Sequence, residues 1–163
     1  MNPRRLILKS PTLLTPGALS APWLWLPRLS VAQQDDVIAT VQRTEGFVRL
    51  VGANERTAAA GSVVREGDRL ITTPNSDAVI KLHDGAVIAL RANSEMVFAQ
   101  QRFNARNPSD SSSVMELVRG ALRQVTGLIA KTQPGNVRVQ TATATIGVRG
   151  TDFETVQIDQ QSV

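Results

Sequence analysis

From Asp77 to Ser94 the chain reads DAVIKLHDGAVIALRANS, two runs of alternating apolar and polar residues on either side of Asp84-Gly85. An alternation of period two places every second side chain on one face of a strand. Asp-Gly between two such runs is a strong hairpin signal. The pattern also selects a register. A two-residue loop pairs His83 with Ala86, sets Lys81 opposite Ile88 and Ala78 opposite Arg91, and so puts charge on both faces. A three-residue loop, His83-Asp84-Gly85 with Gly85 left-handed, pairs Leu82 with Ala86, Ile80 with Ile88 and Ala78 with Leu90. One face is then wholly apolar, so the longer loop is expected, with His83 in solvent.

The rest of the chain after Ala32 repeats this grammar. Val37 to Val51 is β-rich, with a bulge or tight bend expected at Glu45-Gly46. Asn54 to Ala60 is small and polar and reads as a loop. Ser62 to Val64 leads into the turn Arg65-Glu66-Gly67-Asp68, and a short strand follows at Leu70 to Thr73. Pro74-Asn75-Ser76 is a further turn, and Glu95 to Phe103 alternates less well. Asn104 to Ser113 reads as an exposed loop. Val114 to Val125 reads as strand, turn at Arg119-Gly120, and strand. A short helix over Met115 to Val125 is the alternative, at a cost of about 1 kcal/mol for the central Gly120. Pro134-Gly135-Asn136 is a turn, Val137 to Thr141 a clean strand, and a last strand runs through Val156 and Ile158.

No segment sustains a helical period, so the fold class is all-β. Gly67, Gly85 and Gly120 are separated by 18 and 35 residues, a faint repeat. Serial hairpins in a sandwich-like domain and a short β-solenoid both satisfy that spacing.

Charge changes the picture only at the N-terminus. Of the 18 bases, Arg4, Arg5, Lys9 and Arg28 fall in the first 32 residues, which hold no acid; the remaining 14 bases face 14 acids. Trp23 and Trp25 also lie in that segment. The remainder is formally neutral and poor in aromatics, which argues against a nucleic-acid partner. Met1 to Ala32 has a basic start, an apolar middle broken by Pro16, Gly17, Pro22 and Pro27, and Ser30-Val31-Ala32 as an A-x-A-like site. Arg4-Arg5-Leu6-Ile7-Leu8-Lys9 matches the twin-arginine pattern. Residues 1–32 are therefore expected to be a twin-arginine-like signal peptide cut after Ala32. That leaves a periplasmic domain over 37–163 with no stable transmembrane segment.

Candidate chemistry is sparse. His83 is the one histidine and lies beside Asp84. A triad needs a nucleophile, a base and an orienting acid, and a metal site needs three or four ligands. A solvated turn residue is the simpler reading. Gly147 to Phe153 offers two glycines and Arg149, but a phosphate cradle wants such a loop at a helix N-terminus. Gly147 and Gly150 are read as requirements of a turn or bulge, with Phe153 as a core plug and Arg149 exposed or paired with Asp152. Asp152, Glu154 and Asp159 suggest calcium or acid-base work less well than an amphipathic strand with Phe153 inside. No catalytic, cofactor or metal residue is expected.

Motifs in order carry more than any one of them. Gly67-Asp68, Leu70 to Thr73, Ser76-Asp77, Asp84-Gly85 and Asn93-Ser94 are followed by Val118-Arg119-Gly120, Val137 to Thr141 and Ile146 to Phe153, the last ending Arg149-Gly150-Thr151-Asp152-Phe153. This series, over roughly 60–153, resembles the FecR domain family. The resemblance implies a periplasmic all-β domain acting by protein contact. It casts Gly67, Asp68, Asp84, Gly85, Gly120, Arg149, Gly150, Thr151 and Phe153 as motif residues with structural roles. Regulators of that family carry an anti-sigma segment and a transmembrane helix, and they relay transporter occupancy to a sigma factor. Neither segment is legible here, so the chain resembles the stand-alone exported members, with a protein or peptidoglycan/envelope partner. Sigma-factor or iron-uptake regulation with a separate partner chain is the alternative, and a hydrolase on a β-scaffold a third.

Overall fold

A computed structural model of the chain describes residues 37–148, 150 and 152–157. The chain is all-β, with twelve strands and one short helix among those residues. The strands are β1 (Val37–Glu45), β2 (Val48–Val51), β3 (Glu55–Thr57), β4 (Val63–Arg65), β5 (Arg69–Thr72) and β6 (Asp77–Leu82). They continue as β7 (Val87–Leu90), β8 (Glu95–Arg102), β9 (Ser112–Val125), β10 (Val137–Thr141), β11 (Thr145–Gly147) and β12 (Asp152–Gln157). The helix, α1, is Leu128–Thr132.

The pairings form two sets that share β9. One runs β4-β1-β6-β7-β9-β12, the other β3-β2-β5-β8-β9-β10-β11. The first half of β9, Ser112 to Arg119, pairs with β8; the second half, Gly120 to Val125, pairs with β12. Apart from β9 with β10, every pairing is antiparallel. The buried side chains of both sets, from Ile38 to Val148, make one cluster, so the sheets close on a common core. Alternation explains which residues reach it: in β6, Ala78, Ile80 and Leu82 are buried while Lys81 is exposed.

The order β1-β6-β7-β9 in one sheet matches β2-β5-β8-β9 in the other, and consecutive partners are joined by bent chain. Four long strands therefore cross from sheet to sheet along a common crease. The crossings touch. Thr73 Oγ1 donates to the Phe47 carbonyl at 2.9 Å, the Ser94 N–H donates to Thr72 Oγ1 at 2.9 Å, and the Ala121 N–H donates to Ser94 Oγ at 2.9 Å. Glycine meets serine at both ends of this row. A Cβ on Gly46 would lie 2.7 Å from the Ser76 Cβ, and one on Gly120 would lie 2.1 Å from Ser94 Oγ. Gly120 also has φ +87°, a conformation open to glycine and strained for other residues. Asn75 and Asn93, which precede the two serines, sit at φ 59° and 53°, where asparagine is tolerated.

The central hairpin takes the three-residue loop: Ile80 pairs with Ile88 and Ala78 with Leu90, and Gly85 has φ +84°. Other expectations need correction. Residues 54–60 contain β3, held against β2 by pairs such as Arg49 with Thr57. Residues 114–125 are neither a strand-turn-strand unit nor a helix. They belong to one continuous strand, because Gly120 lets β9 fold over Ser94 without leaving the ladder. Gly120 thus marks the crease, whereas Gly67 and Gly85 lie in turns, so the three are not equivalent positions of a repeat. The antiparallel pairings fit a curled, sandwich-like sheet and not stacked coils. Ser111 and Ser113 are buried, although an exposed loop was expected there. At Gly147 φ is not positive and a Cβ would meet nothing within 4 Å, so no turn or bulge demands glycine there.

Candidate functional site

The strand ends farthest from the crease surround a cleft of about 1130 Å³. The start of β1, the β2–β3 and β4–β5 turns, the β6–β7 tip and the end of β8 all contribute to it. Two motif aspartates organise this end of the molecule. Asp68 is buried, and its Oδ2 accepts the Arg65 N–H at 2.9 Å, which closes the turn. The same turn is tied to β8, since the Gly67 N–H donates to the Phe98 carbonyl and the Phe98 N–H donates to the Asp68 carbonyl. A Cβ on Gly52 would lie 2.0 Å from Asp68 Oδ1, so the β2–β3 turn approaches this carboxylate closely.

Asp84, buried at the hairpin tip, does more than favour a turn. Its Oδ1 accepts the Ala86 N–H at 3.1 Å and its Oδ2 the Ile129 N–H at 3.4 Å, while its carbonyl accepts the Leu128 N–H at 2.8 Å. The tip thereby supplies partners for the first N–H groups of α1, which Gly127 leaves without a side-chain cap. His83 is exposed at the cleft rim, and its N–H donates to the Ile38 carbonyl at 3.0 Å.

The floor and walls bring in residues that the sequence did not single out. The main-chain N–H of Gln101 on β8 donates to Glu66 Oε2 at 3.2 Å. The Gln101 side chain points inward, opposite Ser113 of β9, and both residues are buried. Neither the Gln101 amide nitrogen and oxygen nor the Ser113 hydroxyl has a hydrogen-bond partner among the described residues. Arg56, Arg65 and Arg102 also line the cleft, and Arg56 Nη2 donates to the Val63 carbonyl at 2.8 Å. The uneven alternation of Glu95 to Phe103 was the one signal here; it reflects a register shift between Val97 and Gln100.

The other singled-out residues lie elsewhere. Gly120 is in the crease. Phe153 is half-buried and packs against the core from β12. Asp152 and Glu154 are exposed on the opposite face of that strand. Asp152 takes a bidentate hydrogen bond from Arg123 of β9, with Nε 3.1 Å from Oδ1. That bond holds the Asp152 carboxyl below its ordinary range and raises the Arg123 guanidinium above its own. The Gly150 carbonyl accepts Thr126 Oγ1 at 3.0 Å. Arg4, Arg5, Ala32, Arg149, Thr151 and Asp159 lie outside the described residues, as does the whole signal segment. Among the described residues no group of three or more His, Cys, Asp and Glu is placed to hold a metal ion, and no helix is long and apolar enough to cross a membrane.

A family model described as FecR protein matches residues 68–163. Neither the comparison with curated proteins nor that with solved structures finds a match.

Proposed function

Since the chain belongs to the FecR family, we propose that it is a non-enzymatic, exported module that binds a protein or cell-envelope partner in the periplasm. The family is a regulatory one, involved in iron uptake and sigma-factor signalling. The match over 68–163 is the observation that carries the proposal. In this reading residues 1–32 are a twin-arginine-type signal removed after Ala32, and residues 37–163 form the working domain. The motif residues serve the scaffold. Asp68 and Asp84 fasten turns, Gly120 opens the crease, and Phe153 secures β12.

The test is a crosslinked pull-down of the tagged full chain from the periplasmic fraction. The expected result is periplasmic accumulation of a shortened chain and recovery of an envelope protein. Retention of the full-length chain in the cytoplasm would overturn the proposal. Replacing Arg4 and Arg5 with Lys separates the routes, because a twin-arginine substrate then stays in the cytoplasm.

A further inference from the structure

We propose that the outer edge of β12 takes an extended strand from a partner protein, one that sets a basic residue opposite Glu154 and an apolar residue opposite Val156. The proposal deepens the partner-binding reading above and rests on it. β12 pairs with β9 along one edge, and among the described residues no strand pairs with the other. Its length sets it apart. The other outermost strands, β3, β4 and β11, have three residues each, whereas β12 has six. Native sheets guard an open edge by keeping it short, or with lysine, proline, a bulge or an inward-pointing charge. β12 has no lysine or proline, keeps an unbroken register against β9, and carries no charge on the inward-facing Phe153, Thr155 and Gln157. Such an edge offers its main-chain N–H and C=O groups as a template for strand addition.

The side chains select the occupant. On the outer face Asp152 is bound to Arg123, while Glu154 is exposed and makes no ion pair among the described residues. Val156, 60 % exposed, is the most exposed large apolar side chain of those residues. Side chains directly opposite each other on one face of a sheet touch, so a basic residue suits the first position and an apolar one the second. On the inner face an added strand covers the exposed part of Phe153, which is half-buried against the core. A second copy of the chain fits less well. Antiparallel pairing joins like faces. Residues 152–156 of two copies would then meet with Glu154 against Glu154, and residues 153–157 with Glu154 against Val156.

The experiment is isothermal titration of the full chain with a blocked heptapeptide of alternating threonine and valine that carries lysine at its centre. Beside it run the same peptide with a central glutamate and two forms methylated on the main-chain nitrogens of alternate residues, one in each phase. The lysine peptide is expected to bind about tenfold more tightly than the glutamate peptide. Glu154→Lys, at an exposed position, should reverse that preference. Only every second N–H of a strand faces a given neighbour, so methylation should abolish binding in one phase and spare it in the other. Equal binding of the lysine and glutamate peptides, equal loss with both methylation phases, or no peptide binding would each overturn the proposal. Sedimentation of the chain alone should give a monomer. A dimer that Val156→Lys splits would assign the edge to a second copy and overturn the proposal as well. If no peptide binds while the pull-down still recovers an envelope protein, the edge assignment falls and the partner-binding reading stands.

Discussion

At the scale of single residues, two glycines of equal backbone geometry separate sharply by what surrounds them. Gly85 and Gly120 both have positive φ, +84° and +87°, so alanine at either is strained. That strain costs roughly 1–2 kcal/mol. At Gly85 a Cβ meets nothing within 4 Å, and the cost should end there. At Gly120 it would lie 2.1 Å from Ser94 Oγ and 2.6 Å from the Ser94 Cα, and main chain cannot swing aside as a side-chain tip can. Overpacking adds about 1–3 kcal/mol, so Gly120→Ala should lose about twice the stability of Gly85→Ala in urea unfolding. Equal losses would mean that the crease yields freely. Asp84 makes a similar point for a polar group. Asp84→Ala strips acceptors from the buried N–H groups of Ala86 and Ile129 and should cost about 2–4 kcal/mol by thermal unfolding. Asp84→Asn, which keeps one acceptor, should cost less.

At the scale of elements, β12 is the strand whose hold can be dissected. It is fastened to β9 through the ladder from Asp152–Val125 to Gln157–Gly120, the Arg123–Asp152 pair and half-buried Phe153. Phe153→Ala should cost about 2 kcal/mol, below the roughly 3–5 kcal/mol of a fully buried phenylalanine, as read from the midpoint of denaturant unfolding. The ion pair is exposed, so its mark is the pH profile. Arg123 lowers the folded pKa of Asp152. The pair's stabilisation is therefore present above the ordinary aspartate range and fades as pH falls through the lowered pKa. Asp152→Asn should flatten that acid limb by lowering stability slightly above it while leaving the fully acid end unchanged; an unaltered limb would show that the pair contributes nothing. Strands of this kind were legible, because alternation with period two needs only local sequence: Ile80, Ile88 and Leu90 declared the hairpin face and its register. β3 was not, since Glu55-Arg56-Thr57 has no buried face of its own and is a strand only because β2 pairs with it. Helix α1 was missed for a like reason, its first N–H groups being satisfied from a hairpin more than forty residues away. The cleft was least legible of all. Arg56 of β3 and Gln101 and Arg102 of β8 reach one end of the molecule only through the pairing order β3-β2-β5-β8, and the uneven alternation of Glu95 to Phe103 is the one local mark.

At the scale of the molecule, the crease decides how the fold comes apart. In a sandwich joined only by loops, one sheet can open while the other persists. Here β1–β2, β5–β6, β7–β8 and β9 each run through both sheets, and their crossings are hydrogen-bonded side by side through Thr72, Thr73 and Ser94. Separating the sheets therefore breaks the crossings and exposes one shared core, from Ile38 to Val148, at the same time. Local opening with a free energy well below the global value requires a unit that can leave without disturbing the rest, and neither sheet is such a unit. Native-state hydrogen exchange should accordingly give the ladder amides of β6 in one sheet and β8 in the other the same opening free energy, with the same dependence on denaturant. Amides of β11, which among the described residues pairs with β10 alone, should open at lower free energy. A lower value throughout one sheet would show that the crossings act as hinges.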